Sequence, residues 1–183
     1  MKKSLAKGVS ALLQEDTGPN LILVGMMGTG KSTVSRILAQ ELGYHLIDMD
    51  EEIERLEGRS IADIFTQHGE EYFREAEAAA LRSICSAKGQ VISTGGGSVL
   101  RSVNCDLMLS SGLVVALTAV PEVIIERVSG NPDRPLLAGG VEDRVRRIME
   151  ERRDAYKFAH VEVDTSHLSA AEVASMILAH YRV

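Results

Sequence analysis

Five short apolar runs punctuate the chain: LILVG (21–25), YHLID (44–48), GQVIS (89–93), LVVAL (113–117) and HVEVD (160–164). Each has strand length and strand composition. Helical spacing of apolar residues fills about 30–42, 50–57, 60–86, 121–129, 141–157 and 169–181. The stretch 99–110 follows neither period clearly. Strand–helix alternation predicts an α/β fold, a three-layer αβα sandwich around a five-stranded parallel sheet. The first run is apolar throughout, as befits a strand covered on both faces. No internal repeat or low-complexity tract interrupts the pattern.

Ahead of the first run, Leu5, Val9, Leu12 and Leu13 suit one helical face, which Thr17-Gly18-Pro19-Asn20 then breaks. The sustained apolar stretch and small-x-small cleavage site of a signal peptide are missing. Residues 1–19 are therefore read as an extension and 20–183 as the domain. A chain of 183 residues that is 45% hydrophobic suits one domain with one core.

A net charge of -6 argues against a general nucleic-acid footprint. No apolar run approaches the ~18–20 residues that span a bilayer, so no membrane partner is expected. Cys85 and Cys105 form no CxxC cluster and read as reduced thiols of a cytoplasmic protein. The five His are scattered, which disfavours a metal site built by protein alone. With no coiled-coil pattern and no apolar docking stripe, a monomer is expected.

GMMGTGKST, from Gly25 to Thr33, fits G-x-x-x-x-G-K-[ST] between a strand and a helix. Glycines let the loop turn its backbone N–H groups inward, and the helix start adds more donors for phosphate oxygens. Lys31 supplies a charge near the β- and γ-phosphates, and Ser32 a hydroxyl for Mg²⁺. The motif indicates a nucleoside triphosphate but not the reaction.

IDMDEEIE then places Asp48 and Asp50 two apart, on one face if the backbone stays extended. Both stand at the carboxyl end of a strand, where open α/β sheets bind ligands. One could hold Mg²⁺ through water while the other accepts a bond from a substrate hydroxyl. Alternatively, Asp50 caps the next helix. Further on, Arg74 and Glu77 share a helical face. They form either a weak surface pair or a buried one in which Glu77 fixes the Arg74 fork for a substrate carboxylate. Gly95, Gly96 and Gly97 follow the third strand. Three glycines are either a flexible connector or a place where a ligand meets the main chain. SGNPDRPLLAGG (129–140) reads as a lid or as an ordinary surface loop, with Pro135 biasing Arg134 toward extended geometry.

Taken together, GMMGTGKST, IDMD, GRSIADIFTQHGEEYFREAE, STGGG, RPLL and ERRDAY resemble the shikimate kinase family across residues 21 to 156. These are small P-loop kinases with the nucleoside-monophosphate-kinase fold and a short lid. The resemblance implies transfer of the ATP γ-phosphoryl group to the 3-hydroxyl of shikimate, in aromatic amino-acid biosynthesis. It implies that Gly28, Thr29, Gly30, Lys31, Ser32 and Thr33 surround the ATP phosphates. It gives Mg²⁺ to Ser32 and Asp48, and the shikimate hydroxyls to Asp50. Arg74 and Arg152 match the carboxylate-binding arginines, and the R-x-x-x-Tyr spacing to Tyr156 selects Arg152 over Arg153. Gly95, Gly96 and Gly97 line the acid's pocket within a segment of about 50–80 and its neighbours, with Phe65 and Phe73 as apolar wall. Arg127 packs against adenine, and Arg134 reaches the phosphates from the 129–140 lid. Met27, Met49 and Ala155 depart from the family's usual residues. Rival readings are a kinase for gluconate or a nucleoside monophosphate, and a nucleotide-binding regulator.

Overall fold

The computed structural model describes residues 18–129 and 140–181. Residues 1–17 of the expected extension, and residues 130–139 of the expected lid with Arg134, lie outside them. Five strands form one parallel sheet: β1 (Asn20–Gly25), β2 (His45–Asp48), β3 (Gln90–Ser93), β4 (Gly112–Thr118) and β5 (Val161–Asp164). Their order is β2-β3-β1-β4-β5, so β1 is central. The helices are α1 (Lys31–Leu42), α2 (Met49–Glu57), α3 (Ile61–Cys85), α4 (Ser102–Ser111), α5 (Pro121–Ser129), α6 (Val141–Glu151) and α7 (Ala170–Tyr181). The α/β three-layer expectation holds.

Side chains alternate across β1, and both faces are buried. Leu21 and Leu23 join Val34 and Leu38 of α1 and Val173 and Ile177 of α7. Ile22 and Val24 face the other way, with Ile53 of α2, Leu81 of α3 and Met108 of α4. Central strands of parallel sheets need this double cover. A smaller cluster, Met26, Ile124, Val128 and Val145, joins α5 and α6 to the end of β1. The sheet core thus sets β1, β3 and β4 with their carboxyl ends together, where ligands of open α/β sheets bind.

The structure corrects two expected helices and resolves one undecided stretch. The helix expected over 60–86 breaks at Gly69, whose φ of 79° and ψ of 179° are not helical. Only glycine tolerates that region readily. The break lets Phe65 and Phe73 stack, with ring centroids 4.6 Å apart. The helix expected over 141–157 ends at Glu151, with Arg152 as its C-cap. The undecided stretch 99–110 forms a 3₁₀ turn over Ser98–Leu100 followed by α4. Among the described residues, no helix is long and apolar enough to cross a membrane.

Candidate active site

The loop after β1 turns on glycines in backbone regions that other residues avoid. Gly28 and Gly30 have φ of 80° and 96°. Gly30 is the N-cap of α1 and, lacking a side chain, caps none of the helix's first N–H groups itself. A carbon added at Gly25 would lie 2.4 Å from the Leu117 carbonyl oxygen, so β4 admits only glycine at this point. Thr29 is buried and donates to Met26 O at 2.8 Å, which tightens the turn. Lys31 Nζ donates to Gly25 O at 2.7 Å and to Met26 O at 3.1 Å. Its ammonium is thereby held at the mouth of the loop. Ser32 and Thr33 stand exposed on the first turn of α1.

Arg127 of α5 donates to Gly28 O at 3.1 Å and to Thr165 O at 2.9 Å. It ties the phosphate-type loop to the segment after β5. Beside this junction lies a cavity of about 240 Å³, bordered by Thr33, Arg127, Thr165 and Leu168 among others. Sequence reasoning did not find Thr165. Its signal was a single threonine after a strand, in a segment with no firm pattern.

Asp48 and Asp50 do not share one extended strand. β2 ends at Asp48, and α2 begins at Met49. Asp48 is the cap of that helix, its Oδ1 accepting from the N–H groups of Asp50 at 3.0 Å and Glu51 at 3.5 Å. The capping role weighed for Asp50 therefore belongs to Asp48. Met49, between them, is wholly buried in the core. One helical residue later, Asp50 turns its Oδ1 to within 2.9 Å of the position a side chain on Gly95 would occupy. The residue as a whole is reachable by solvent, while this oxygen faces the glycine loop. Crowding by protein, then the charges of Asp48 and Glu77, push the Asp50 carboxyl up to about 6. The Lys31 ammonium pulls the other way, which places it close enough to act on Asp50.

The three consecutive glycines explain themselves by their neighbours. Gly97 has an ordinary right-handed backbone, φ -97° and ψ -8°. A side chain there would displace Arg74: an added carbon would sit 2.7 Å from its Nη1. At Gly96 the added carbon would meet Arg152 Nη1 at 3.3 Å and Gly25 O at 3.5 Å. Arg152 Nη1 donates to Gly96 O at 3.0 Å, and Tyr156 Oη donates to the same oxygen at 3.0 Å. Successive residues of one loop thus touch Asp50, Arg152 and Arg74, and the loop abuts the turn after β1.

Arg74 is held from below. Its Nη1 pairs with Glu77 at 2.9 Å, and Glu77 is buried. The guanidinium carbon lies 5.1 Å from the centre of the Phe73 ring, within cation–π range. Phe73 is buried, whereas Phe65 stays partly open. Of the two readings of Arg74 and Glu77, the buried pair is the one realised. Ser98, directly after the glycines, donates to Glu77 Oε1 at 2.7 Å. Sequence reasoning missed it, because its partner is remote in the chain. Arg153 is mostly exposed and paired with Glu150 at 3.5 Å. Among the described residues, no group of three or more His, Cys, Asp and Glu could hold a metal.

A shikimate kinase family model matches residues 27–182. The chain is 44% identical over 165 residues to the shikimate kinase of Caldanaerobacter subterraneus subsp. tengcongensis, covering 88% of this chain and 95% of that one. It is 40% identical over 177 residues to the shikimate kinase of Geobacter sulfurreducens, covering 96% and 98%. Among solved structures, the Acinetobacter baumannii shikimate kinase in complex with shikimate superposes with a TM-score of 0.82 at 38% identity, covering 87% of this chain and 90% of that one. The phosphate-type loop, the aspartate beside it and the two arginines at the glycine loop therefore sit on a known framework, and this chain belongs to the shikimate kinase family.

Proposed function

We propose that this chain transfers the γ-phosphoryl group of ATP to the 3-hydroxyl of shikimate, giving shikimate 3-phosphate and ADP. The observation that carries the reading is the meeting of Asp50, Arg74 and Arg152 at one glycine loop, against the turn that begins at Gly25. Shikimate is a small rigid acid with ring hydroxyls. Arg74 and Arg152 supply forked donors for its carboxylate. Asp50 supplies an acceptor for its hydroxyls, and Phe73 with Phe65 an apolar wall. A site built this way rejects acids that leave its polar groups unpaired.

Phosphoryl transfer asks the protein chiefly to position the reactants and neutralise charge. Gly28, Thr29, Gly30, Lys31, Ser32 and Thr33 hold the ATP phosphates, with Lys31 at the transferring group. Arg127 and Thr165 border the nucleoside's place. Asp50 orients the 3-hydroxyl and takes its proton, a task its ionised form performs above pH of about 6.

Mg²⁺ would be held by the Ser32 hydroxyl and, through water, by Asp48. Both offer the hard oxygen donors that Mg²⁺ prefers, and it binds with few protein ligands. Both helix N–H groups bond Asp48 Oδ1, so Oδ2 takes neither. When bound, the ion neutralises phosphate charge. The reading takes the chain as a monomer. The free, half-buried thiols of Cys85 and Cys105 suit a reducing cytoplasm. The segment 20–183 serves as the whole catalytic domain in this reading, and 1–19 as an extension.

Purified protein should release ADP from Mg-ATP only when shikimate is supplied, and not when magnesium is chelated. Equal turnover with gluconate, or none with shikimate, refutes the proposal.

A further inference from the structure

We infer that Ser98 is a positioning residue for the acid's carboxylate, acting through Glu77 to hold the Arg74 guanidinium against the glycine loop. The inference rests on the function proposed above and adds a residue to it. Ser98 is fully buried, and Glu77 is 1% exposed. Among the described residues, each oxygen of the Glu77 carboxylate has a donor. Oε1 accepts from Ser98 Oγ at 2.7 Å, and Oε2 accepts from Arg74 Nη1 at 2.9 Å. Ser98 itself cannot drift. Its N–H donates to Gly95 O at 3.2 Å, and its carbonyl accepts from Asn104 Nδ2 at 3.0 Å.

Arg74 also has a second suitor. Its Nη2 pairs with Glu70 at 3.2 Å, on the exposed side of α3, where the Glu70 side chain is 69% exposed. The guanidinium therefore sits between an inner and an outer carboxylate. Removing the Ser98 hydroxyl leaves Glu77 Oε1 buried without its donor, a costly state. The carboxylate turns to find another partner, its bond to Nη1 is misaligned, and the outer pair with Glu70 gains at its expense. Arg74 then moves off the Gly97 side of the loop, where the acid binds.

The test is calorimetric binding of shikimate and of ATP to the full chain. Ser98→Ala should weaken shikimate binding about 10-fold, the scale of one hydrogen bond to a charged group, and change ATP binding less than about 2-fold. In an Arg74→Ala background the same substitution should weaken shikimate binding less than about 2-fold further, because the group it positions is gone. Ser98→Cys, near-isosteric and a weak donor, should show a smaller loss of the same kind and serves if the alanine variant does not fold. Unchanged shikimate affinity in the Ala or Cys variant overturns the inference. So does an equal loss in both backgrounds, which marks a merely structural serine. Wild-type protein that binds shikimate normally isolates that failure; wild-type protein that does not bind shikimate overturns the proposed function as well.

Discussion

Gly97→Ala separates substrate recognition from folding in one methyl group. The backbone at Gly97, φ -97° and ψ -8°, is open to any residue, so alanine adds no backbone strain. Its Cβ would stand 2.7 Å from Arg74 Nη1, 2.8 Å from Nη2 and 3.1 Å from Cζ. Relaxed heavy-atom contacts lie at about 3.5–4.0 Å, so the guanidinium must retreat by roughly 0.7–1.3 Å. The retreat strains its 2.9 Å bond to Glu77 and takes it from the place of the acid. Loss of a charge-assisted hydrogen bond costs about 1.5–3 kcal/mol, or roughly 10- to 150-fold in shikimate affinity. Stability should change by less than about 1 kcal/mol, since a flexible side-chain tip absorbs the clash and alanine restricts the unfolded chain. Gly112→Ala is the contrast: its Cβ would fall 1.9 Å from the backbone oxygen of Asn20, where no side chain can yield. That variant should lose β1–β4 pairing and melt far earlier. Calorimetry with shikimate and with ATP, plus thermal melts, reads both effects. If Gly97→Ala binds shikimate within about 2-fold of wild type, or loses ATP equally, the placement of Arg74 at the acid's carboxylate is wrong.

For the wild type, kcat/KM for shikimate should fall as pH drops through about 6, as Asp50 takes up a proton. Asp50→Asn should lose that acid limb together with on the order of 10²–10⁴ in rate. A flat wild-type profile between pH 5 and 7 would contradict the role. Stability should move oppositely. The raised carboxyl contributes stability fully below its ordinary 3.8, and that contribution is lost as pH rises through about 6. Asp50→Asn should therefore melt above wild type at pH 8 and level with it at pH 4; a gain confined to acid pH would reverse the sign. Arg127→Ala removes bonds to Gly28 and Thr165 and should raise KM for ATP about 10-fold with little change for shikimate. An unchanged KM for ATP would detach Arg127 from the nucleotide.

Much of the sheet was legible because its strands are apolar runs closed by Gly25, Asp48, Ser93 and Asp164. Where the sequence misled, a tertiary effect prevailed over a local period. The apolar spacing of α3 continues across Gly69, so the kink leaves no periodic trace. After Glu151, the charged ERRDAY still favours helix locally, but Arg152 and Tyr156 are drawn to the Gly96 carbonyl. The helix α4 was undecided because SVNCDLMLSS buries only Asn104 and Met108 and has no strong apolar face. At the site, Arg74, Glu77 and the glycines were readable from residue type and spacing. That Asp48 rather than Asp50 caps α2 was not, since it depends on where β2 stops. Ser98 was invisible because Glu77 lies 21 positions away.

The central claim is that Arg74 and Arg152, far apart in the chain, grip one carboxylate. Titrating shikimate into wild type, Arg74→Ala, Arg152→Ala and the double variant, with ATP as the parallel ligand, addresses it directly. Each single substitution should weaken shikimate binding by more than about 10-fold while ATP binding changes little, and the double loss should differ from the sum of the two. Either single variant holding shikimate as tightly as wild type, or losing ATP to the same degree, would contradict it.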